Sequence, residues 1–321
     1  MKSTPKTTLL VIFFSLFTLN IFSQEEPIVL KTPTGAIKGT LTLPTATADI
    51  PIVLIIAGSG PTDRDCNQPS MQTNSFKYLA DTLQKRGIAS VRFDKRGIGE
   101  SRDTSVVLKE SDMRFDTFID DVKAWVELLA KDDRFSHIII AGHSEGSLIG
   151  MVATKGNTNV KGFISISGPG IPADEKIKEQ LASQPPLVKE LCYPILDTLK
   201  KGDTVSGVPP MLYSLFRPSI QPYMISWFKY NPQTEIKELQ IPILIIQGNT
   251  DIQVSETDAV LLSSASTFAK KKIIKNMNHV LKDCDTIDKQ ANIATYNKPE
   301  LPLNREFIKE MIDFILEIQL K

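Results

Sequence analysis

Residues Gly142-His143-Ser144-Glu145-Gly146 set a serine between two glycines, directly after the apolar run "HIIIA". A serine hydroxyl in such a setting can attack a carbonyl carbon, provided a base removes its proton and backbone N–H groups receive the developing oxyanion. The pentapeptide is too short to decide the matter alone; the requirement is a strand before it and a helix after it. "HIIIAGHSEGSLIGMVAT" meets that requirement. A sharp strand-to-helix turn brings backbone close to backbone two residues either side of the serine, and Gly142 and Gly146 leave room for that approach.

Three histidines, His137, His143 and His279, are available as the base. His137 opens the strand leading to Ser144, roughly 20 Å away along it at ~3.3 Å per residue. His143 adjoins the serine with its side chain directed elsewhere, which makes it a candidate to line the site and not its base. His279 remains, in "KNMNHVL" just after the last expected strand, at the carboxyl edge where open α/β sheets bind ligands. The acid that orients it should lie between serine and histidine in the chain. Asp251 does so in "IPILIIQGNTDIQV", and Asp258, in an expected helix, is the fallback. The oxyanion N–H groups are assigned to Glu145, the residue after the serine, and to Ser59 in "PIVLIIAGSG", with Gly60 next in line. That loop lacks the Lys-Ser/Thr of a P-loop and is not followed at once by a helix. Asp63 and Arg64 come directly after it and are candidates to line the site; bonding of Arg64 within the loop is the first reading, because Arg carries five donors, and substrate binding is the alternative.

The elements that must position these residues alternate strand with helix. "IVLKTPTGAIKGTLTLP" reads as a β-hairpin from Ile28 to Leu43, and "PIVLIIAGSG" as a strand buried on both faces. A helix capped by Asn74 and ending by Gly87 leads to the strand "IASVRFD". Phe115, Phe118, Ile119, Val122, Trp125, Val126 and Leu129 recur with helical period. Strands "HIIIAG", "VKGFISIS", "IPILIIQG" and "KKIIK" follow, and an amphipathic helix capped by Asn304 closes the chain. The expectation is a mostly parallel sheet with helices on both faces and an N-terminal β-hairpin. Residues 169–242 hold 11 of the 20 prolines and break the alternation. With no piece carrying a full core of its own, this stretch, about 169–240, reads as a helical lid inserted in a domain spanning 24–321.

Ser144, Asp251 and His279, the elbow and the insertion together resemble the α/β-hydrolase superfamily. More narrowly, "GSGPTDRD" at 58–65, "FDKRGIGES" at 93–101, "GHSEG" at 142–146 and "MNH" at 277–279 resemble bacterial acyl esterases related to the serine aminopeptidase-like hydrolases. The resemblance runs from Ile28 to the C-terminal helix and implies an α/β-hydrolase fold and hydrolysis of carboxylic esters, of short to medium acyl chain, through an acyl-enzyme on Ser144. It departs from the pattern at Ala57, where many relatives have histidine, so the bracing of the oxyanion loop is open.

Composition sets the remaining bounds. The 321 residues carry 41% hydrophobic side chains and no formal net charge. Residues 1–23 contain Lys2 and Lys6 and no acid, so the chain without them has a net charge of −2, which argues against nucleic acid or an anionic membrane as partner. Two lysines before a 14-residue apolar segment, Leu9 to Phe22, have signal-peptide architecture. Cleavage between Ser23 and Gln24 is expected, with export to the periplasm or the medium; the segment is shorter than the ~20 residues of a stable membrane span. Ile21 is not the small residue favoured three before the cut, which leaves an uncleaved anchor open. Cys66, Cys192 and Cys284 allow one disulfide and an odd thiol. With so few histidines and no C-x-x-C, no metal or other cofactor is expected. The partner is a small-molecule ester. Two rivals stand beside this reading: an amidase or aminopeptidase-like hydrolase with the same triad, and a non-catalytic binding protein on a hydrolase fold.

Overall fold

A computed structural model of the chain describes residues 24–46, 48–102 and 109–320. The expected signal peptide, residues 1–23, lies outside the described residues. Among those described, β1 (Gln24–Thr32) and β2 (Gly35–Leu43) form the antiparallel hairpin, which begins four residues before Ile28 because Gln24 to Pro27 also pair with β2. Strands β3 (Ile50–Ile56), β4 (Ala89–Phe93), β5 (Phe135–His143), β6 (Val160–Ile166), β7 (Ile243–Gly248) and β8 (Ala269–Ile274) complete one open sheet in the order β1-β2-β4-β3-β5-β6-β7-β8. From β4 to β8 all neighbours are parallel, the expected mostly parallel architecture.

Alternation along the central strands divides the core. Ile52, Leu54 and Ile56 of β3 face one cluster with Phe115, Val122 and Trp125 of α2 (Phe115–Leu129) and Leu148 of α3 (Glu145–Thr154). Val53, Ile55 and Ala57 face the other, against Phe76 and Leu79 of α1 (Ser75–Gln84) and Phe307 and Met311 of the C-terminal helix. A strand buried on both faces needs apolar residues at every position, which is why "PIVLIIA" reads as an unbroken run. Asn74 does not cap α1 through its side chain: it adopts a left-handed conformation (φ 53°), and its Oδ1 accepts from Asn67 Nδ2. The Thr73 hydroxyl accepts from the first helical N–H instead.

Between β6 and β7 lie α4 (Ala173–Leu181), α5 (Pro186–Lys200), α6 (Tyr213–Phe216), α7 (Gln221–Trp227) and α8 (Pro232–Lys237). The insertion does bury a hydrophobic cluster of its own, with Leu196, Leu199, Phe216, Met224 and Phe228 at its centre. No single helical piece supplies that cluster, so the separate pieces gave no sign of it. Lys176 of α4 pairs with Asp258 of α9 (Glu256–Ala265) at 2.7 Å, and Asp258 also accepts from Gly170 N, fastening the insertion to the sheet domain. The chain closes with α10 (Lys289–Ala294) and α11 (Arg305–Gln319), the latter capped by Asn304. Cys66, Cys192 and Cys284 are free and buried. No helix among the described residues is long and apolar enough to cross a membrane, and no His/Cys/Asp/Glu group among them has metal-site spacing.

Candidate active site

Ser144 sits at the turn between β5 and α3 with φ 54° and ψ −124°, a combination that side-chain-bearing residues adopt only under local constraint. The constraint is close packing. A Cβ on Gly142 would lie 2.2 Å from Gly146 O, and one on Gly146 would lie 2.5 Å from Ile56 O, so only glycine fits either position. Gly58 is less confined, its Cβ approaching that of Ser144 to 3.0 Å.

His279 follows β8 in a loop and lines the same cavity as Ser144. Its Nδ1 stands 2.7 Å from Asp251 Oδ2. An ionised carboxylate only accepts, so the proton belongs on Nδ1 and Nε2 carries a lone pair. Asp251 is held tightly: its side chain is fully buried and also accepts from Gln247 Nε2 and from the backbone N–H groups of Gln253 and Val254. Burial by itself would raise its pKa, but His279 and these donors outweigh it and hold the carboxyl below the usual range. Asp258, the other acid considered, is committed to its capping box and to Lys176. No hydrogen bond joins Ser144 Oγ to His279 Nε2 among the described residues; such contacts often tighten only with substrate bound.

His143 is buried and donates through Nε2 to the carbonyl of His279 at 2.8 Å, bracing the histidine loop from beneath. Burial, reinforced by the neighbouring His279, pushes its pKa down to about 3, so it is neutral and cannot serve as an acid near neutrality.

Ser59 and Gly60 line the cavity of Ser144, and Glu145 is the first residue of α3, where the backbone N–H has no partner within the helix. The loop that presents Ser59 is braced in a way the sequence did not disclose. Lys95 Nζ donates to Gly58 O at 2.6 Å, and Gln68 Nε2 donates to Ser59 O at 3.1 Å. These two side chains hold the loop that follows Ala57. Lys95 is itself buried, 3.9 Å from Glu145 Oε1, and Glu145 accepts from the Tyr223 hydroxyl at 2.9 Å. Burial drives the Lys95 ammonium below its usual range and the Glu145 carboxyl above its own, and each charge is the main counterweight to that in the other. Lys95 lies inside "FDKRGIGES", so its motif was visible but its target was not. Tyr223, on α7 in the insertion, carried no sequence signal.

Asp63 and Arg64 stand away from the cavity. Asp63 Oδ1 accepts from Asp65 N and Asn67 N, closing a loop turn. Arg64 bonds Thr40 Oγ1, Asp94 Oδ2 and Glu100 Oε2, so its donors go to fixing the loop. Arg96 pairs with Asp121 in the same region.

A second cavity opens on Ser144 from the insertion side, about 190 Å³, lined by Ser59, Glu145 and apolar groups including Ile171, Ile177 and Trp227. The arrangement thus combines a constrained hydroxyl, an imidazole oriented by a buried carboxylate, and, lining the cavities around that hydroxyl, the two residues expected to supply oxyanion N–H groups. That set is sufficient for acyl transfer through a covalent intermediate.

Comparison with known proteins agrees with the fold. Residues 70–218 match the family model "Serine aminopeptidase, S33". Esterase EstD of Thermotoga maritima is 28% identical over 255 residues, which cover 77% of this chain; the chain spans only 58% of the length of that relative. Est1E from Butyrivibrio proteoclasticus superposes with a TM-score of 0.58 at 18% identity, covering 92% of this chain and 99% of that one. The α/β hydrolase GrgF from Penicillium sp. sh18 gives a TM-score of 0.60 at 15% identity, with 93% and 100% covered.

Proposed function

We infer, from the premise that the chain belongs to the α/β-hydrolase superfamily, that it is a serine esterase cleaving carboxylic esters by an acyl-enzyme on Ser144. In this reading His279 Nε2 takes the Ser144 proton as Oγ attacks the ester carbonyl, and the Ser59 and Glu145 N–H groups bind the resulting oxyanion. Asp251 keeps the imidazole in the required tautomer and stabilises the imidazolium. The C–O bond to the alcohol then breaks, its oxygen receives the proton from Nε2, and the acyl group stays on Oγ. Water, deprotonated by the same nitrogen, releases the carboxylic acid and restores the serine. No cofactor enters any step.

The observation that carries the reading is the elbow geometry of Ser144 facing the cavity that His279, bonded to Asp251, also lines. The named relatives EstD and Est1E support the ester class. The cavity of about 190 Å³ beside Ser144 supports a short to medium acyl chain. Export rests on the sequence of residues 1–23 alone, and N-terminal sequencing of the mature protein, expected to begin at Gln24, tests it.

The amide reading draws support from the description of the matching family model. An aminopeptidase, however, must hold the protonated amine of the acyl half, and the carboxylate that lines the cavity beneath the insertion, Glu145, already accepts from the Tyr223 hydroxyl and lies 3.9 Å from Lys95 Nζ. The test sets p-nitrophenyl esters from acetate to dodecanoate beside aminoacyl p-nitroanilides, with residues 24–321 and with Ser144→Ala. Ester hydrolysis peaking at or below octanoate and lost by a factor of about 10⁴ or more in the variant is expected. Faster cleavage of the anilides would transfer the assignment to the amidase class.

A further inference from the structure

We propose that the alcohol half of the substrate is a neutral polyhydroxy unit, a sugar or glycerol, seated in the cavity bounded by Ser144, His279 and the segment 293–297. The inference rests on the serine-esterase reading and adds to it the class of leaving group.

Proton transfer decides which cavity takes which half of the ester. The leaving oxygen must lie within reach of His279 Nε2 to receive its proton, so the alcohol occupies the side on which His279 is exposed. Two cavities meet at Ser144. The one beneath the insertion touches Ser59 and Glu145 but not His279, whereas the other, about 390 Å³, touches His279 as well as Ser144. The first is therefore the acyl side and the second the alcohol side. At about 390 Å³ the second lies within the usual size of small-ligand sites, roughly 300–1,000 Å³.

The chemistry of the alcohol side is distinctive. No Asp, Glu, Lys or Arg is among its lining residues, yet amides and hydroxyls crowd it: Thr62, Gln68, Ser70, Gln253, Tyr296 and Asn297. Some of these have hydrogen-bonding capacity left over. The buried Tyr296 hydroxyl accepts from Gln253 Nε2 at 3.3 Å, while its own proton meets no protein acceptor among the described residues. Gln68 Nε2 gives to Ser59 O and Thr62 Oγ1, which leaves Oε1 free to accept. Asn297 ties the far wall to the facing loop, accepting from Gln72 N at 2.9 Å and giving to Ser70 O at 3.1 Å, so the site is formed in advance.

Fixed neutral donors and acceptors match a ligand that offers several hydroxyls, each able both to give and to accept. A charged alcohol would lose its hydration and find no counter-ion, and a hydrocarbon alcohol would leave the Tyr296 proton unpaired. Met71, Val280 and Ile293 in the same lining supply apolar surface for the C–H edges of a polyol.

The test holds the acyl group constant as butyrate and varies the alcohol: methyl butyrate, glyceryl monobutyrate, 6-O-butyrylglucose, butyrylcholine and the anionic O-butyryl-lactate. Values of kcat/KM for the glyceryl or glucosyl ester are expected to exceed that of the methyl ester by about tenfold or more, with both charged esters at or below it. Whichever polyol ester is faster identifies the source of the hydroxyls. The ratio of polyol to methyl ester is expected to fall about tenfold in Tyr296→Phe and in Gln253→Leu. A methyl ester or charged ester equal to or better than both polyol esters, with activity still abolished by Ser144→Ala, would overturn this proposal alone. Undiminished activity in Ser144→Ala would instead remove the esterase reading beneath it.

Discussion

Asp251 keeps its charge in a fully buried position because His279, Gln247 and two backbone N–H groups replace the water it has lost. Asp251→Asn would present His279 in the wrong tautomer, and kcat for ester hydrolysis is expected to drop about 10⁴-fold. Asp258→Asn is a control for position in the chain. It removes one member of the buried pair with Lys176 and should cost about 3 kcal/mol in a denaturant titration, with kcat within tenfold of wild type. The reverse pattern would make Asp258 the triad acid. His143 carries a prediction in pH. Its pKa lies near 3 when folded against about 6.5 unfolded, so the unfolded chain binds the extra proton between these values. The stability contributed by neutral His143 is complete above about pH 6.5 and declines as pH falls towards 3. Between pH 7 and pH 4 the loss from this group is roughly 3 kcal/mol. His143→Gln keeps an N–H donor without a titrating ring, and its unfolding free energy should fall less than that of wild type across the same interval by about that amount. Parallel curves for the two proteins would contradict the assignment.

At the scale of elements, the side of the site around Ser59 and Glu145 is a junction of three segments that are far apart in the chain. The loop after β3, the turn after β4 and the elbow after β5 meet through Lys95, which reaches from its own motif to the carbonyl of Gly58 and lies beside Glu145. Tyr223 of α7 joins this junction from the insertion. Lys95→Met would free the Gly58 carbonyl and let the Ser59 N–H drift from the oxyanion. Expected is a fall in kcat of about 10²-fold with KM changed little, and a parallel loss of affinity for an alkyl boronic acid that mimics the tetrahedral intermediate. Equal losses in KM and kcat without a change in boronate affinity would reduce Lys95 to a folding role. Much of this level was legible beforehand. The β5–elbow–α3 unit follows from an apolar run and two glycines, and α2 runs from Phe115 to Leu129 as its helical period requires. The reach of Lys95 was not legible, because a side chain crossing between two loops leaves no periodicity. Asn74 misled for a related reason: its amide suited a cap, yet Asn67 engaged it and Thr73 supplied the cap oxygen.

At the scale of the molecule, one twisted sheet presents the carboxyl ends of β3, β5, β7 and β8 to a common edge, and the insertion after β6 contributes to the cavity beside them. The fold class could be read from strands buried on both faces alternating with amphipathic helices. The separate hydrophobic cluster of the insertion could not, since five helices of 4 to 15 residues, most of them separated by proline-containing turns, contribute only a few residues each. Nor could the state of the cysteines, which depends on distances that sequence does not hold. Because all three thiols are free and buried, reductant is expected to leave the melting temperature unchanged; a drop on reduction would contradict the fold as described. In the proposed mechanism Ser144 is the nucleophile, activated by His279. Its most direct test is to incubate residues 24–321 with a fluorophosphonate at neutral pH and to locate the adduct by peptide mass spectrometry. A single adduct is expected on the peptide carrying Ser144, formed in wild type and at least about 10³-fold more slowly in His279→Ala. An adduct on another residue, or labelling of Ser144 at the same rate without His279, would contradict that mechanism.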